Sequence, residues 1–377
     1  MAKKASEVET KSENKQAVYR YIQKKGAATR QELYAGLGLS LPTIKQSLEY
    51  LERAGLILPA DVIRNTGGRN ATAYRVKCNG HFAIGVFLSA NHITAVCVDL
   101  SGAICAKKRI RITFDTHQDS YLRAIGSLVS DTVAESGIDD ARIIGVGIAV
   151  PSLVSEDGES ILFGMTHDFS GITREVLSKY ISFPTRLFHD SFVAGFAEVW
   201  STPAIRNAFY LSLNNSVGGA MIIDNKIYTG NNQRAGEVGH LLIDPLHGKR
   251  CYCGQIGCFD TVCNAGLLDS LTGGSLEDFF VLLQSGDATA CARFDTYLDH
   301  LAIAIHNLRM LYDCEIILGG YVGAYMEDYM EDLCRRIDAH AIFQSYARSY
   351  VLPCHYKNES TATGAAIQMI ERFVENL

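Results

Sequence analysis

One imidazole and three thiols, His240, Cys251, Cys253 and Cys258, crowd into a short stretch of a 377-residue chain. Imidazole and thiolate are soft donors that suit tetrahedral Zn²⁺, and four of them leave no position for water. The expected role is therefore a structural zinc, one per chain. Gly254 and Gly257 let so tight a loop turn its sulfurs inward. A redox pair is the competing reading, since neighbouring thiols in a reducing compartment can act as sensors. The other eight of the 11 cysteines are scattered singly through apolar contexts such as Val96-Cys97-Val98 and read as reduced core residues.

The chain that must position this cluster is long enough for two or three compact units. With 47% hydrophobic residues, 20% charged and 7 Pro, it builds real cores, which excludes disordered, collagenous and low-complexity classes. No stretch reaches the roughly 20 apolar residues of a membrane span, and residues 1–15 lack the apolar centre of a signal peptide. The expectation is a cytoplasmic protein with no membrane partner. Charge is unevenly spread. Residues 1–77 carry 8 Lys and 6 Arg against 6 Glu and 1 Asp, a net of +7, while the overall balance of 35 basic and 41 acidic residues leaves −13 for the rest. A small basic module precedes a large acidic body, so nucleic acid is a candidate partner for the first part only.

The basic module carries helical periods. Ala17, Val18, Tyr21 and Ile22 form one apolar stripe of a helix over residues 14–25, ended by Gly26. Thr29 followed by Glu32 is a capping box that opens a second helix, which carries Leu33 and Leu37 and stops at Gly36-Leu37-Gly38. Ser40 caps a third, with Pro42 tolerated in its first turn and Ile44, Leu48 and Leu51 as its buried stripe. A β-prone run over 56–63, the tip Thr66-Gly67-Gly68-Arg69 and a second strand over 73–76 describe a winged helix-turn-helix. Leu41, Thr43, Lys45 and Gln46 project from the exposed N-terminal half of the third helix toward base edges and phosphates in a major groove. Arg69 at the wing tip reaches a phosphate or a narrow minor groove. A generic three-helix bundle shares the helical spacing, but the turn, the wing and the +7 together favour DNA.

In the acidic body, two apolar runs over 82–100 flank Ser89-Ala90-Asn91-His92, and Asp99-Leu100-Ser101-Gly102 makes a turn. Residues 107–113 alternate as a further strand, a helix follows over 121–135, and a buried-type strand from Ile143 to Val150 ends at Pro151.

The run from Asn14-Lys15-Gln16 to Tyr74-Arg75-Val76 resembles the N-terminal domain of ROK-family transcriptional regulators, the family of repressors, open reading frames and kinases. The resemblance continues to about Ile367. It implies an α/β protein in which the winged helix-turn-helix precedes a two-lobed, actin-like or ribonuclease-H-like body of the sugar kinase superfamily. The expected borders are 1–78 for the DNA-binding domain and 79–200 for the first lobe, completed by a C-terminal helix at about 360–377. The second lobe, 201–359, holds the zinc loop. The cysteines match the family's Cys-x-Cys-Gly-x2-Gly-Cys motif, which favours zinc over a redox pair.

ROK kinases carry an Asp-x-Gly-Gly-Thr loop after the first strand, and the positions aligned here from Ile84-Gly85-Val86 are Phe87 to Asn91, without the acid or the glycines. Their second phosphate loop falls on Asn214, Asn215, Ser216, Val217 and Gly218, with two glycines lost. Leu318-Gly319-Gly320 survives. Phe in place of a metal-organising carboxylate implies a former kinase without ATP chemistry.

On the sugar side, the resemblance implies contacts from His189-Asp190, from Glu237 and His240 of Gly236-Glu237-Val238-Gly239-His240, and from Asp260. Carboxylates accept from vicinal hydroxyls, and a dry site of this kind rejects ligands that leave it unpaired. Asp190 falls on the kinases' general base and without ATP only recognises. His189 replaces their Asn, as in repressor members, and Asp260 is shorter than their usual Glu. Asp190 also reads as a plain cap ahead of a helix over 192–200.

The expected function is a sugar-responsive transcriptional regulator, a repressor released from operator DNA by a sugar or sugar derivative. A homodimer or homotetramer on a palindromic operator is expected, with helical segments over 279–283 and 297–311 as interface candidates. The alternative is an active ROK sugar kinase with an added DNA-binding domain.

Overall fold

The computed structural model describes residues 2–63, 71–164, 170–202, 204–344 and 346–377, with backbone alone at 2–11, 61–63 and 71. The tip at 66–69, and with it Arg69, lies outside the described residues.

Helix α1 (Ala2–Lys25) starts well ahead of the expected residue 14, because its first half is rich in Ala, Lys, Glu and Ser and has helical propensity but no apolar stripe to read. Strand β1 (Ala28–Thr29), too short to show alternation, leads into α2 (Arg30–Leu37) through the capping box, with Glu32 N donating to Thr29 Oγ1 and Glu32 accepting from Thr29 N. Ser40 caps α3 (Leu41–Arg53), which buries Ile44, Leu48 and Leu51. Strands β2 (Ile57–Ile63) and β3 (Ala71–Val76) complete a three-stranded sheet in the order β1-β3-β2.

The next sheet begins as an antiparallel meander, β4 (Phe82–Leu88), β5 (His92–Asp99) and β6 (Ile104–Arg111), the last shifted a few residues toward the turn from the expected 107–113. Helix α4 (Asp119–Ser136) crosses to β7 (Ile143–Val150), which runs parallel to β4. A hairpin of β8 (Leu153–Val154) and β9 (Ile161–Phe163) and the short α5 (Arg174–Leu177) precede β10 (Thr185–His189), parallel to β7, and α6 (Asp190–Ser201). The order is β10-β7-β4-β5-β6.

A second five-stranded sheet repeats the plan. It contains β11 (Ala208–Leu213), β12 (Val217–Ile223) and β13 (Lys226–Tyr228), then β14 (Glu315–Gly319) and β15 (Val351–Pro353), in the order β13-β12-β11-β14-β15. The short helices α7 (Asp260–Cys263) and α8 (Gly266–Asp269) lead into α9 (Leu276–Gln284) and α10 (Ala288–Tyr312), and α11 (Gly320–Gly323) and α12 (Met330–Asp338) follow β14. Phe279, Phe280, Tyr297, Leu298 and Leu301 form the core of this half, while Val281 and Leu311 face outward.

Helix α13 (Ser360–Glu375) returns to pack on β4, β7 and α6. Strands β4 and β7 are apolar almost throughout because helices cover both of their faces. The far side of α13 shares one apolar cluster with the N-terminal module, in which Ile370 and Val374 join Val18, Tyr19 and Ile22. No helix among the described residues is long and apolar enough to cross a membrane.

Candidate functional site

Strands β7 and β10 are parallel neighbours, and the chain leaves both of them at the same edge, at Pro151-Ser152 and at His189-Asp190. That is where open α/β sheets leave a crevice. Facing it are Ser216 to Gly218 at the start of β12 and the loop carrying Gly236-Glu237-Val238-Gly239-His240. Between them lies a cavity of about 640 Å³. Its wall includes Ser152, His189, Asp190, Asn232, Arg234, Glu237, His240 and Tyr252, with Leu162 and Phe163 of β9 on one side.

His189 is the hub. Its Nε2 stands 3.5 Å from Glu237 Oε1 and its Nδ1 3.4 Å from Asp190 Oδ1. Burial alone would lower the imidazole's pKa, but the Glu237 hydrogen bond and the two carboxylate charges outweigh it and raise it. Burial likewise favours a protonated Glu237, yet the His189 contact and the His240 charge hold it below the ordinary value. Asp190 is 7% exposed, and burial pushes its carboxyl up against the pull of His189 and of the hydrogen bonds from Ser191 N and Oγ. The helix begins at Asp190 itself, not at 192, so His189 occupies the cap position and Asp190 lies inside the first turn.

Two buried polar atoms of residues in this wall, Ser152 Oγ and His189 Nδ1, have no hydrogen-bond partner; the Asp190 oxygen is near the second but out of line. Orphans of this kind are rare in folded proteins and call for a ligand or water. Ser152, Asn232, Arg234 and Tyr252 were not singled out in the sequence. The placement of Ser152 directly after a buried strand, and of Tyr252 between two cysteines, were the available signals.

Asp260 differs from the rest of the set. Among the described residues it is absent from the cavity wall; its Oδ1 accepts from Val217 N at 2.5 Å and so anchors the start of β12. Burial raises its carboxyl despite that bond and the nearby His240.

His240, Cys251, Cys253 and Cys258 do converge, with ligand atoms all within 4.8 Å of one another. Cys253 and Cys258 sulfurs are 3.6 Å apart, and Cys251 Sγ is 3.8 Å from His240 Nδ1. A tetrahedral ion with metal–sulfur bonds near 2.3 Å needs edges of roughly 3.5–3.8 Å, so the set fits a metal. Burial raises the Cys251 and Cys258 thiols, and a central dication supplies the charge that burial withholds from thiolates. Gly257, at φ +77, passes so close to Asp244 O that a Cβ would lie 1.8 Å from it, so only glycine closes this loop. His240 Nε2 points the other way, 3.4 Å from Tyr252 Oη, which lies on the cavity wall.

At the kinase-loop positions, Phe87 is 6% exposed and packs in the core with Ala149 and Val193. Asn214 donates to Ser212 Oγ and accepts from Tyr321 N. On α3, Leu41, Lys45 and Gln46 are exposed; Thr43 is half-buried, with its hydroxyl 2.8 Å from that of Ser40.

Comparison with known proteins fits this geometry. The ROK family profile matches residues 83–372, and a winged helix-turn-helix DNA-binding profile matches 11–57. The xylose repressor of Caldicellulosiruptor bescii is 20% identical over 346 residues, covering 86% of each chain. The N-acetylglucosamine repressor of Escherichia coli O157:H7 is 26% identical over 257 residues, 66% of this chain and 62% of that one. The fold is similar to the crystal structure of a ROK family transcriptional regulator homologous to the E. coli MLC protein, with a TM-score of 0.75 at 22% identity over 98% of this chain and 97% of that one. With the profile spanning most of the length and both parts of the architecture present, the chain belongs to the ROK family and carries a winged helix-turn-helix at its N-terminus.

Proposed function

We propose that this protein is a sugar-responsive transcriptional repressor. The observation that carries the reading is the pair of orphaned polar atoms, Ser152 Oγ and His189 Nδ1, of two residues that line a cavity in the same chain as a DNA-binding module. In this reading His189, Asp190 and Glu237 hold sugar hydroxyls, with Ser152 completing the set. His240 is steered into place by the metal and contributes through its Nε2 side and Tyr252. Asp260 acts one step back, by fixing Val217. One structural Zn²⁺ per chain sits among His240, Cys251, Cys253 and Cys258.

Leu41, Thr43, Lys45, Gln46 and Arg69 meet operator DNA, palindromic for a symmetric homodimer or tetramer in the cytoplasm. Residues 1–78 form the DNA-binding domain; 79–200 with 360–377 form the first lobe, and 201–359 the second. Sugar closes the lobes and resets the DNA-binding domains. The names of the xylose and N-acetylglucosamine repressors support this class of effector. Against the kinase alternative stands Phe87, core-packed where catalysis needs a carboxylate.

A thermal-shift screen against sugars and sugar phosphates identifies the effector. Linkage then requires that saturating effector weaken operator binding by the same factor, typically about 5- to 150-fold, by which operator weakens effector binding. Lys45→Ala should lower operator affinity and flatten its salt dependence by about one unit of slope. Sugar-dependent ATP hydrolysis above background, or operator binding indifferent to every sugar that stabilises the protein, would overturn the reading.

A further inference from the structure

Arg20 Nη1 and Trp200 Nε1 donate to the same atom, Glu371 Oε1, at 2.6 and 2.9 Å. The three residues belong to three different parts of the chain. Arg20 is on α1 of the DNA-binding module, Glu371 on α13, and Trp200 in the last turn of α6, whose first residue is Asp190 on the cavity wall. Residues 190–199 of α6 are buried along the whole helix, so its two ends move together.

The indole packs closely on the chain at Gly102, where, at φ +83, a Cβ would come within 2.6 Å of the ring, so there is no room for a side chain beneath it. Glu371's side chain is 15% exposed and Arg20's 35%, and the shared acceptor is sensitive to displacement, since either bond is lost beyond about 3.5 Å. Among the described residues, two further polar ties join the module to the end of the chain, Gln16 to Glu375 O one turn beyond Glu371 and Ser12 to Leu377 O just past α13, and neither involves α6. Tyr19 Oη, beside this junction, is buried without a partner, so the docked arrangement carries a standing cost and is not locked.

The geometry points to Glu371 as a positioning residue for DNA binding: through Trp200 it registers where α6 stands, and through Arg20 it sets the DNA-binding module against α13. One acceptor atom therefore ties α6, whose first residue lines the cavity, to α1, which packs on α3. This rests on the reading of the module as the DNA reader, and adds to it the route by which the body reaches it.

The test is a double-mutant cycle in the full-length, sugar-free protein. A duplex is first selected from a random pool by the wild type. Its affinity is then measured for wild type, Arg20→Gln, Trp200→Phe and the double variant, each checked by thermal unfolding. Each single change should alter Kd at least fivefold, and the double variant should stay within twofold of a single one. Trp200→Phe within twofold of wild type, or single effects that multiply in the double variant, overturns the proposal while leaving DNA binding intact; the second pattern is what a direct phosphate contact by Arg20 would give. If Trp200→Phe does not fold, Glu371→Gln takes its place, and an unchanged Kd there overturns the proposal equally. A wild type that selects no duplex overturns the DNA-binding reading and this proposal with it.

Discussion

His189 Nε2 and Glu237 Oε1 meet at 3.5 Å across the cavity, so a strand end of the first sheet and a loop of the second share one charged contact. Its pH dependence follows from the two shifts. The imidazole's pKa is raised in the folded protein, so its contribution is full below its ordinary value near 6.5 and is lost as pH rises through the higher folded value. The Glu237 carboxyl is lowered, so its contribution is present above about 4.5 and is lost as pH falls through the folded value. The stability difference between wild type and His189→Asn should be greatest between about pH 4.5 and 6.5 and shrink above 7. Melting temperatures of both proteins from about pH 4.5 to above pH 7 check it; a difference that grows above pH 7 contradicts the assignment.

Cys253→Ser should remove one zinc per chain. Metal analysis of protein purified without chelator should find about one equivalent in the wild type and under half in the variant. Zinc at a hundred times its dissociation constant contributes roughly 2.7 kcal/mol to stability, so chelation should lower the melting temperature of the wild type and leave the variant unmoved.

Ser152→Ala should separate stability from binding. Removing an orphaned buried hydroxyl leaves the sugar-free protein as stable as before or slightly more so. The sugar loses a hydrogen bond worth about 1–1.5 kcal/mol, which weakens binding roughly tenfold. Equal sugar affinity in calorimetry would remove Ser152 from the site.

Gly364→Ala in α13 reverses the usual helical preference, which favours alanine by roughly 0.5–1 kcal/mol. A Cβ there would lie 1.9 Å from Val193 O and 2.4 Å from Val193 C, so α6 and α13 must separate. Overpacking of this kind costs about 1–3 kcal/mol, and denaturant titration should show net destabilisation.

What was legible in the sequence was local. Thr29 with Glu32, and Ser40 with Pro42, announce helix starts through bonds that span three residues, and both caps form as read. The four metal-binding candidates fall in one short loop, so their spacing carries the geometry. The first half of α1 was missed because propensity without an apolar stripe leaves no period. Ser152 and Trp200 were missed because their meaning comes from residues far away in sequence, the Glu237 loop that lines the same cavity in one case and Arg20 with Glu371 in the other. Asp260 stands apart for the same reason. Motif position places it at the sugar, whereas its nearest bond is to the backbone of Val217.

The packing of α13 onto β4 and β7 also sets a schedule. Strand β4 spans residues 82–88 and the helix that covers it 360–375, so during synthesis at about 5–20 residues per second the strand waits roughly 14 to 57 seconds for its cover. For that interval one apolar face of the first sheet is bare, and the DNA-binding module, finished early, has no surface on which to dock. A nascent chain stalled in this window would display a free DNA reader beside a sticky sheet, a natural client for chaperones on the ribosome.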